Sequence, residues 1–212
     1  MTTQAADRQG RGARADARRR HLLDVARSLF VEQGFHQTGI AQIATASGIK
    51  VGQIYRDFES KEAIIAAICE SDVTGWLEED VLARAVAAKD LAAIRAWLTR
   101  FGSQAETAHD FRLMTEILAE AGRNSRVAEI YRTLDGRVHT SLSAALAALA
   151  PSAGAEEIEY LTELILTLGA GTACRRIVHG ETSAKTVDCI LDRVLNNEMD
   201  TLARAAGTSC TT

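Results

Sequence analysis

TGIAQIATASGIKVGQIYRDFESKEAI, residues 38–64, is the stretch on which the fold turns. Ala44, Gly48 and Ile54 stand at the spacing of a helix-turn-helix: a small residue where two helices touch, a glycine in the turn, and an apolar anchor on the second helix. Glycine suits that turn because it takes positive φ without a Cβ penalty. Ile40, Ile43, Ile49, Ile54 and Phe58 fall on one inward side, and Lys50, Val51, Gln53 and Arg56 point away from it. The outward set fits a DNA major groove. Arg and Gln pair with base edges, Val meets a thymine methyl, and Lys brings charge to a phosphate or a guanine. Ser60 is placed to cap a following helix, with Lys61 in its first turn beside exposed N–H groups.

These residues carry a resemblance to the TetR family of transcriptional regulators. The shared pattern runs from Thr38 through Ile43-Ala44, Gly48-Ile49, Gly52, Ile54-Tyr55, Phe58 and Ser60-Lys61-Glu62 to Ile64. The resemblance implies that the second helix of the pair enters the major groove, that Tyr55 and Lys61 hold phosphates, and that Thr38 touches phosphate at the start of the first helix. Lys50, Val51, Gln53 and Arg56 then face bases or nearby phosphates. Four positions depart from the family pattern. Gly39 stands in place of a hydroxyl residue, Ser47 in place of alanine, and Lys50 in place of a serine that would cap the helix. Asp57 replaces a histidine or tyrosine, and its carboxylate cannot donate to phosphate, so no DNA contact is assigned to it.

Outside this stretch, composition favours helices: the 212 residues include one proline and five phenylalanines, and alanine and leucine fill the periodic segments. The net charge of −4 hides an asymmetry. Residues 1–61 carry ten Lys/Arg against six Asp/Glu, leaving 14 against 22 in the remainder. A basic head on an acidic body suits binding DNA by one end. Residues 1–15, polar and arginine-rich, read as a disordered basic arm. Arg18 and Arg19, with Arg20, stand at the start of helix 1 as candidates for the DNA backbone.

The expected division is an arm over 1–15, a helix-turn-helix domain over 16–61, and a helical effector-binding and dimerisation domain over 62–212. Periodicity gives an all-α fold of about nine helices and no convincing strand. Helix 1 spans about Asp16 to Gln33, and the helix after Ser60 extends to about Ala87. Asp90, Asp110 and Asn124-Ser125 mark later helix starts, and Pro151 ends the helix before it. The last two helices, about Ala155–His179 and Ser183–Ala206, are too apolar for one chain to cover. They predict a homodimer through Leu161, Ile165, Leu168, Ile190, Leu191 and Val194, with Gly169 and Gly171 allowing close approach.

Relatives of the TetR family bind effectors in the larger domain, which makes Trp97, Phe101, Phe111, Met114, Tyr131, His139 and Cys174 the candidate lining, although each side chain also serves as ordinary core filler. Asp135 and His139, one turn apart, are a conceivable metal pair, but the other histidines have no ligand spacing nearby, and neither a metal nor another cofactor is expected. No hydrolase, nucleotide-binding or metalloprotease motif is present, which weighs against an enzyme. A helical protein-interaction module is the alternative class that the composition allows. With no secretory core and no long apolar run, a cytoplasmic protein without a membrane span is expected, and its four dispersed cysteines read as reduced thiols. The resemblance thus implies a dimeric repressor of a near-palindromic double-stranded operator, released by a small-molecule effector.

Overall fold

In the computed structural model the backbone is described for residues 3–103, 108–179 and 181–208, and side-chain burial for 12–100, 111–179 and 186–204. Among these residues there are ten α-helices and no strand: α1 (Thr3–Gln33), α2 (Ile40–Ser47), α3 (Val51–Asp57), α4 (Lys61–Leu77), α5 (Glu79–Ala88), α6 (Leu91–Ser103), α7 (Ala108–Ala121), α8 (Ser125–Leu149), α9 (Ala155–His179) and α10 (Glu181–Thr208). Helix α1 starts at Thr3, upstream of the start at Asp16 read from the apolar pattern, so residues 3–15 are helical and not the disordered arm expected. Ala5, Ala6, Ala13, Ala15 and Ala17 supply helix propensity there without an apolar stripe, so a reading based on periodicity stops short.

The extra helix arises at Glu78. Residues 61–88 contain no proline and read as one helix, yet Glu78 takes a left-handed conformation (φ 43°) that separates α4 from α5. Its cause lies 19 and 22 positions further on, in α6. Trp97 Nε1 donates to the Leu77 carbonyl at 2.8 Å, and Arg100 donates to the carbonyls of Leu77 (2.6 Å) and Trp76 (2.8 Å) while pairing with the Glu78 carboxylate. The last carbonyls of α4 are thus satisfied by side chains, and continuing the helix is no longer needed to satisfy them.

Other ends follow local chemistry. Gly34 (φ 86°) and Gly48 (φ 68°) close α1 and α2 in the left-handed region, where glycine carries no Cβ penalty. Ser60 Oγ accepts from Ala63 N–H (3.2 Å), Asp90 Oδ1 from Ala93 N–H (3.0 Å), and Asn124 Oδ1 from Arg126 and Val127 N–H (3.1 and 3.3 Å), three N-caps at the expected positions. Asp110 is not one of them in the backbone: α7 begins two residues earlier, at Ala108, and the Asp110 side chain lies outside the described residues.

The chain divides into two compact units, residues 1–72 with 113–131, and residues 73–112 with 132–212. The first is built on Leu22, Ala26 and Phe30 of α1, Ile43 of α2, Ile54 of α3, and Ile64, Ile65 and Ile68 of α4, all buried. Each of the leucine, isoleucine and phenylalanine side chains contributes roughly 1.5–3 kcal/mol by leaving water. Phe30 and Phe35 meet at 5.1 Å in a tilted pair that closes the α1 turn. Residues 113–131 belong to this unit through Glu116, whose Oε2 accepts the Phe35 N–H at 3.3 Å, and through Asn124, which donates to Glu62 at 3.4 Å.

In the second unit α6, α9 and α10 pack together and α5 covers α6. Trp97, Leu98, Leu142, Leu146, Leu161, Ile165, Leu191 and Leu195 are among its buried core. Three residues expected at a dimer interface, Leu161, Ile165 and Leu191, are therefore spent inside the chain. The repeat that marked them is the core repeat of α9 and α10, because an apolar stripe by itself does not say which partner covers it.

Candidate nucleic-acid interface

The candidate surface is presented by a short turn. Helix α2 ends at Gly48, Ser47 Oγ accepts the Ile49 N–H at 3.3 Å, and α3 starts after Lys50, which has extended backbone and makes no side-chain cap. Ser47, one of the departures from the family pattern, therefore has a structural use. Ile54 is fully buried and fixes the rotation of α3. With that side inward, Lys50, Val51, Gly52, Tyr55 and Arg56 are exposed, Tyr55 by 55 %.

Asp57 organises the side chains around this surface. Both its carboxylate oxygens accept from Gln53 Nε2 at 3.2 Å, and one also accepts from Arg18 at 3.4 Å. Gln53 Oε1 in turn accepts from Arg56. Arg19 donates to the Asp57 carbonyl at 3.4 Å and lies over the Phe58 ring, 4.2 Å from its centre. Asp57, to which no DNA contact is assigned, thus holds the amide of Gln53 and anchors α1 against the end of α3. Arg18 is committed to this network, whereas Arg19 stays exposed.

Two expected phosphate anchors are placed differently. Thr38 has 0 % exposure, and its hydroxyl donates to the Gly34 carbonyl at 2.9 Å and the Leu29 carbonyl at 3.3 Å. It fastens the turn after α1 and offers no surface to a phosphate. The pattern position remained readable, but the depth of the side chain did not. Lys61 is half-buried: its Nζ donates to the Phe35 carbonyl at 2.6 Å and sits 4.3 Å from the centre of the Phe35 ring. Burial pushes its ammonium below the usual lysine range, against the opposing pull of Glu62 and Glu120. For Glu62 burial acts upward, but bonds from its own backbone, Asn124 and Ser60, with Lys61 nearby, hold the carboxyl below its ordinary value.

The candidate effector residues are not one group. Met114 and Tyr131 belong to the first unit, and Trp97, Phe111, His139 and Cys174 to the second. Trp97 is buried with its indole N–H committed to Leu77, so it is core. Phe111 is buried under the Arg176 guanidinium, 5.5 Å from the ring centre, and Cys174 is exposed. Phe101 falls in α6, outside the described side chains. His139 faces α9, with its Nε2 3.2 Å from Glu159 and 3.8 Å from Glu163. Asp135, its expected neighbour, is not in that cluster.

Of the remaining interface candidates, Ile190 is 49 % exposed, and Leu168 and Val194 are half-buried. Sequence reasoning missed the largest exposed apolar side chains of α9, Tyr160 (63 %) and Val178 (75 %). Their spacing along the helix, with Leu164 and Gly171 between, was the available signal. No helix among the described residues is long and apolar enough to cross a membrane.

Residues 22–68 match the model of the bacterial regulatory proteins of the tetR family. The transcriptional regulator UidR of Escherichia coli strain K12 is 32 % identical over 120 residues, 56 % of this chain and 59 % of the relative. The transcriptional repressor KstR2 of Rhodococcus jostii strain RHA1 is 41 % identical over 62 residues, 29 % of this chain and 28 % of the relative. The matched stretches thus span less than two thirds of these relatives' own lengths. Among solved structures, Salmonella enterica GusR superposes with a TM-score of 0.61 at 28 % identity, covering 85 % of this chain and 96 % of that one.

Proposed function

Since this chain belongs to the TetR family of bacterial regulatory proteins, we propose that it is a transcriptional regulator that binds duplex DNA through α3, and not an enzyme. The observation that carries the reading is the exposed face of α3, with Lys50, Val51, Tyr55 and Arg56 presented by a glycine turn over a buried Ile54. Gly52 adds support. It sits inside the short α3, where glycine costs about 0.5–1 kcal/mol relative to alanine, yet a Cβ there would meet nothing within the chain. A helix whose backbone must come close to a groove has a use for such a gap.

In this reading Gln53 and Arg56 read base edges, Val51 meets a thymine methyl, and Tyr55, Lys50 and Arg19 hold phosphates. Arg8, Arg11 and Arg14, in the part of α1 before Asp16, add sequence-independent charge. The protein acts in the cytoplasm as a homodimer on a near-palindromic operator, two copies joined through the exposed faces of α9 and α10, where Tyr160, Val178 and Ile190 lie uncovered and Gly171 has room for a neighbour. A small-molecule effector held in the second unit favours a state that no longer fits the operator, through a coupling of roughly 1–3 kcal/mol. Residues 113–131 give the change a route. They belong to the DNA-reading unit and are continuous with helices of the other.

The experiment is capture of genomic fragments by the purified protein, followed by gel shifts across a salt series. Selective retention with steep salt dependence is expected, with Tyr55→Phe weakening all sequences and Arg56→Ala relaxing preference at particular bases. A folded protein that retains no fragment selectively refutes the reading.

A further inference from the structure

His139 projects from α8 toward α9, where Glu159 and Glu163 stand one helical turn apart on the same face. The imidazole Nε2 lies 3.2 Å from both carboxylate oxygens of Glu159 and 3.8 Å from Glu163 Oε1, and the three donor atoms all fall within 4.8 Å of one another. All three residues belong to the second unit, and their side chains are open to solvent by 29 %, 59 % and 61 %.

A simple ion pair accounts poorly for this arrangement. One imidazole nitrogen carries one proton and satisfies one carboxylate, while the second carboxylate is left facing a like charge at i,i+4 spacing. A dication resolves both problems. Bonds of 2.0–2.2 Å to nitrogen and carboxylate oxygen place neighbouring ligand atoms about 2.8–3.6 Å apart in tetrahedral or octahedral geometry. The His139–Glu159 distance already lies in that range, and the Glu163 carboxylate, 3.8 Å from Nε2 on an exposed flexible side chain, is free to move in toward the same point. The backbone beneath is fixed: Ser143 and Thr162, the next turn along the same two helices, share a 3.2 Å hydrogen bond, and Thr162 is fully buried.

We propose that His139, Glu159 and Glu163 bind one divalent transition-metal ion of the zinc and cobalt class, joining α8 to α9. The imidazole sets the preference over magnesium and calcium, which take oxygen ligands. Three protein ligands leave at least one position for water, so the site is open and exchangeable. Binding uses the lone pair of Nε2, so that nitrogen carries no proton once the ion is held. This assignment does not depend on DNA binding.

The test is calorimetry of the full chain, stripped with a chelator, titrated with zinc, and electronic absorption of the cobalt form. The expected result is one ion per chain, a cobalt spectrum free of thiolate bands, and no response to magnesium. At a hundredfold excess over the dissociation constant the melting temperature rises by roughly 5–10 °C. His139→Gln and, separately, Glu163→Gln each reduce affinity at least tenfold. Glu163 is exposed, so its variant decides the matter even if the His139 variant folds poorly. Absence of zinc binding at about 0.1 mM, or binding that both variants retain, overturns the assignment; a thiolate signature would move the ion to the exposed Cys174 and Cys189.

Discussion

Replacing Thr38 by valine separates a structural hydroxyl from a phosphate anchor. Valine keeps the shape of the side chain and removes its donor. The hydroxyl lies in the core with a short bond to the Gly34 carbonyl and a longer one to Leu29. The Gly34 carbonyl keeps a second partner, since it also accepts the Thr38 backbone N–H at 3.2 Å. No acceptor there is stripped bare, which limits the cost to that of one ordinary hydrogen bond, about 0.5–1.5 kcal/mol. Tryptophan fluorescence would miss the loss, because both tryptophans, Trp76 and Trp97, lie in the second unit. Amide hydrogen exchange reads it directly: protection between Leu29 and Ile43 should fall roughly 2- to 13-fold, the factor matching that free energy. DNA affinity should follow only as far as folding does. Unchanged exchange together with a large loss of operator binding would refute this reasoning and return Thr38 to the phosphate.

Three further outcomes are expected. Tyr160→Glu with Val178→Glu should give a folded monomer by sedimentation, whereas Leu191→Glu should unfold the second unit, because Leu191 is buried in its core; a folded monomer from Leu191→Glu would contradict that burial. Alkylation followed by mass spectrometry should label Cys174 and Cys189 in the native protein and spare Cys69, whose thiol burial, with Asp72 beside it, pushes up to about 12; equal labelling would show the site to be open. The two-pronged Arg137 bond to Glu79 (2.8 and 2.6 Å), more than its charge, holds that carboxyl below its usual 4.5. A depressed folded value means stability present above 4.5 and lost as pH falls through the folded value, so Glu79→Gln should flatten the acid limb of an unfolding titration below 4.5. An unaltered acid limb would count against the pair.

Features carried by local chemistry were legible in sequence. The turn at Gly48, the caps at Ser60, Asp90 and Asn124, and the inward Ile43 and Ile54 each follow from a few neighbouring residues. Features set by distant partners were not. Burial of Thr38 depends on carbonyls at the end of α1, and the use of Leu161, Ile165 and Leu191 as core depends on which helices α9 and α10 meet. In sequence His139 has Asp135 as its acidic neighbour, whereas the carboxylates it faces are 20 and 24 positions on and reach it only across the turn between α8 and α9. Asp57 reads as a departure from a pattern, and its network with Arg18 and Gln53 emerges only once α1 lies against α3.

The bend at Glu78 exists on loan from α6. A non-glycine residue in that conformation costs roughly 1–2 kcal/mol, and what offsets it is the grip of Trp97 and Arg100 on two carbonyls. Loosen that grip and residues 61–88 have the composition to straighten into one unbroken rod. The corner is thus a conditional joint, and whatever disturbs α6 acts on it from a distance.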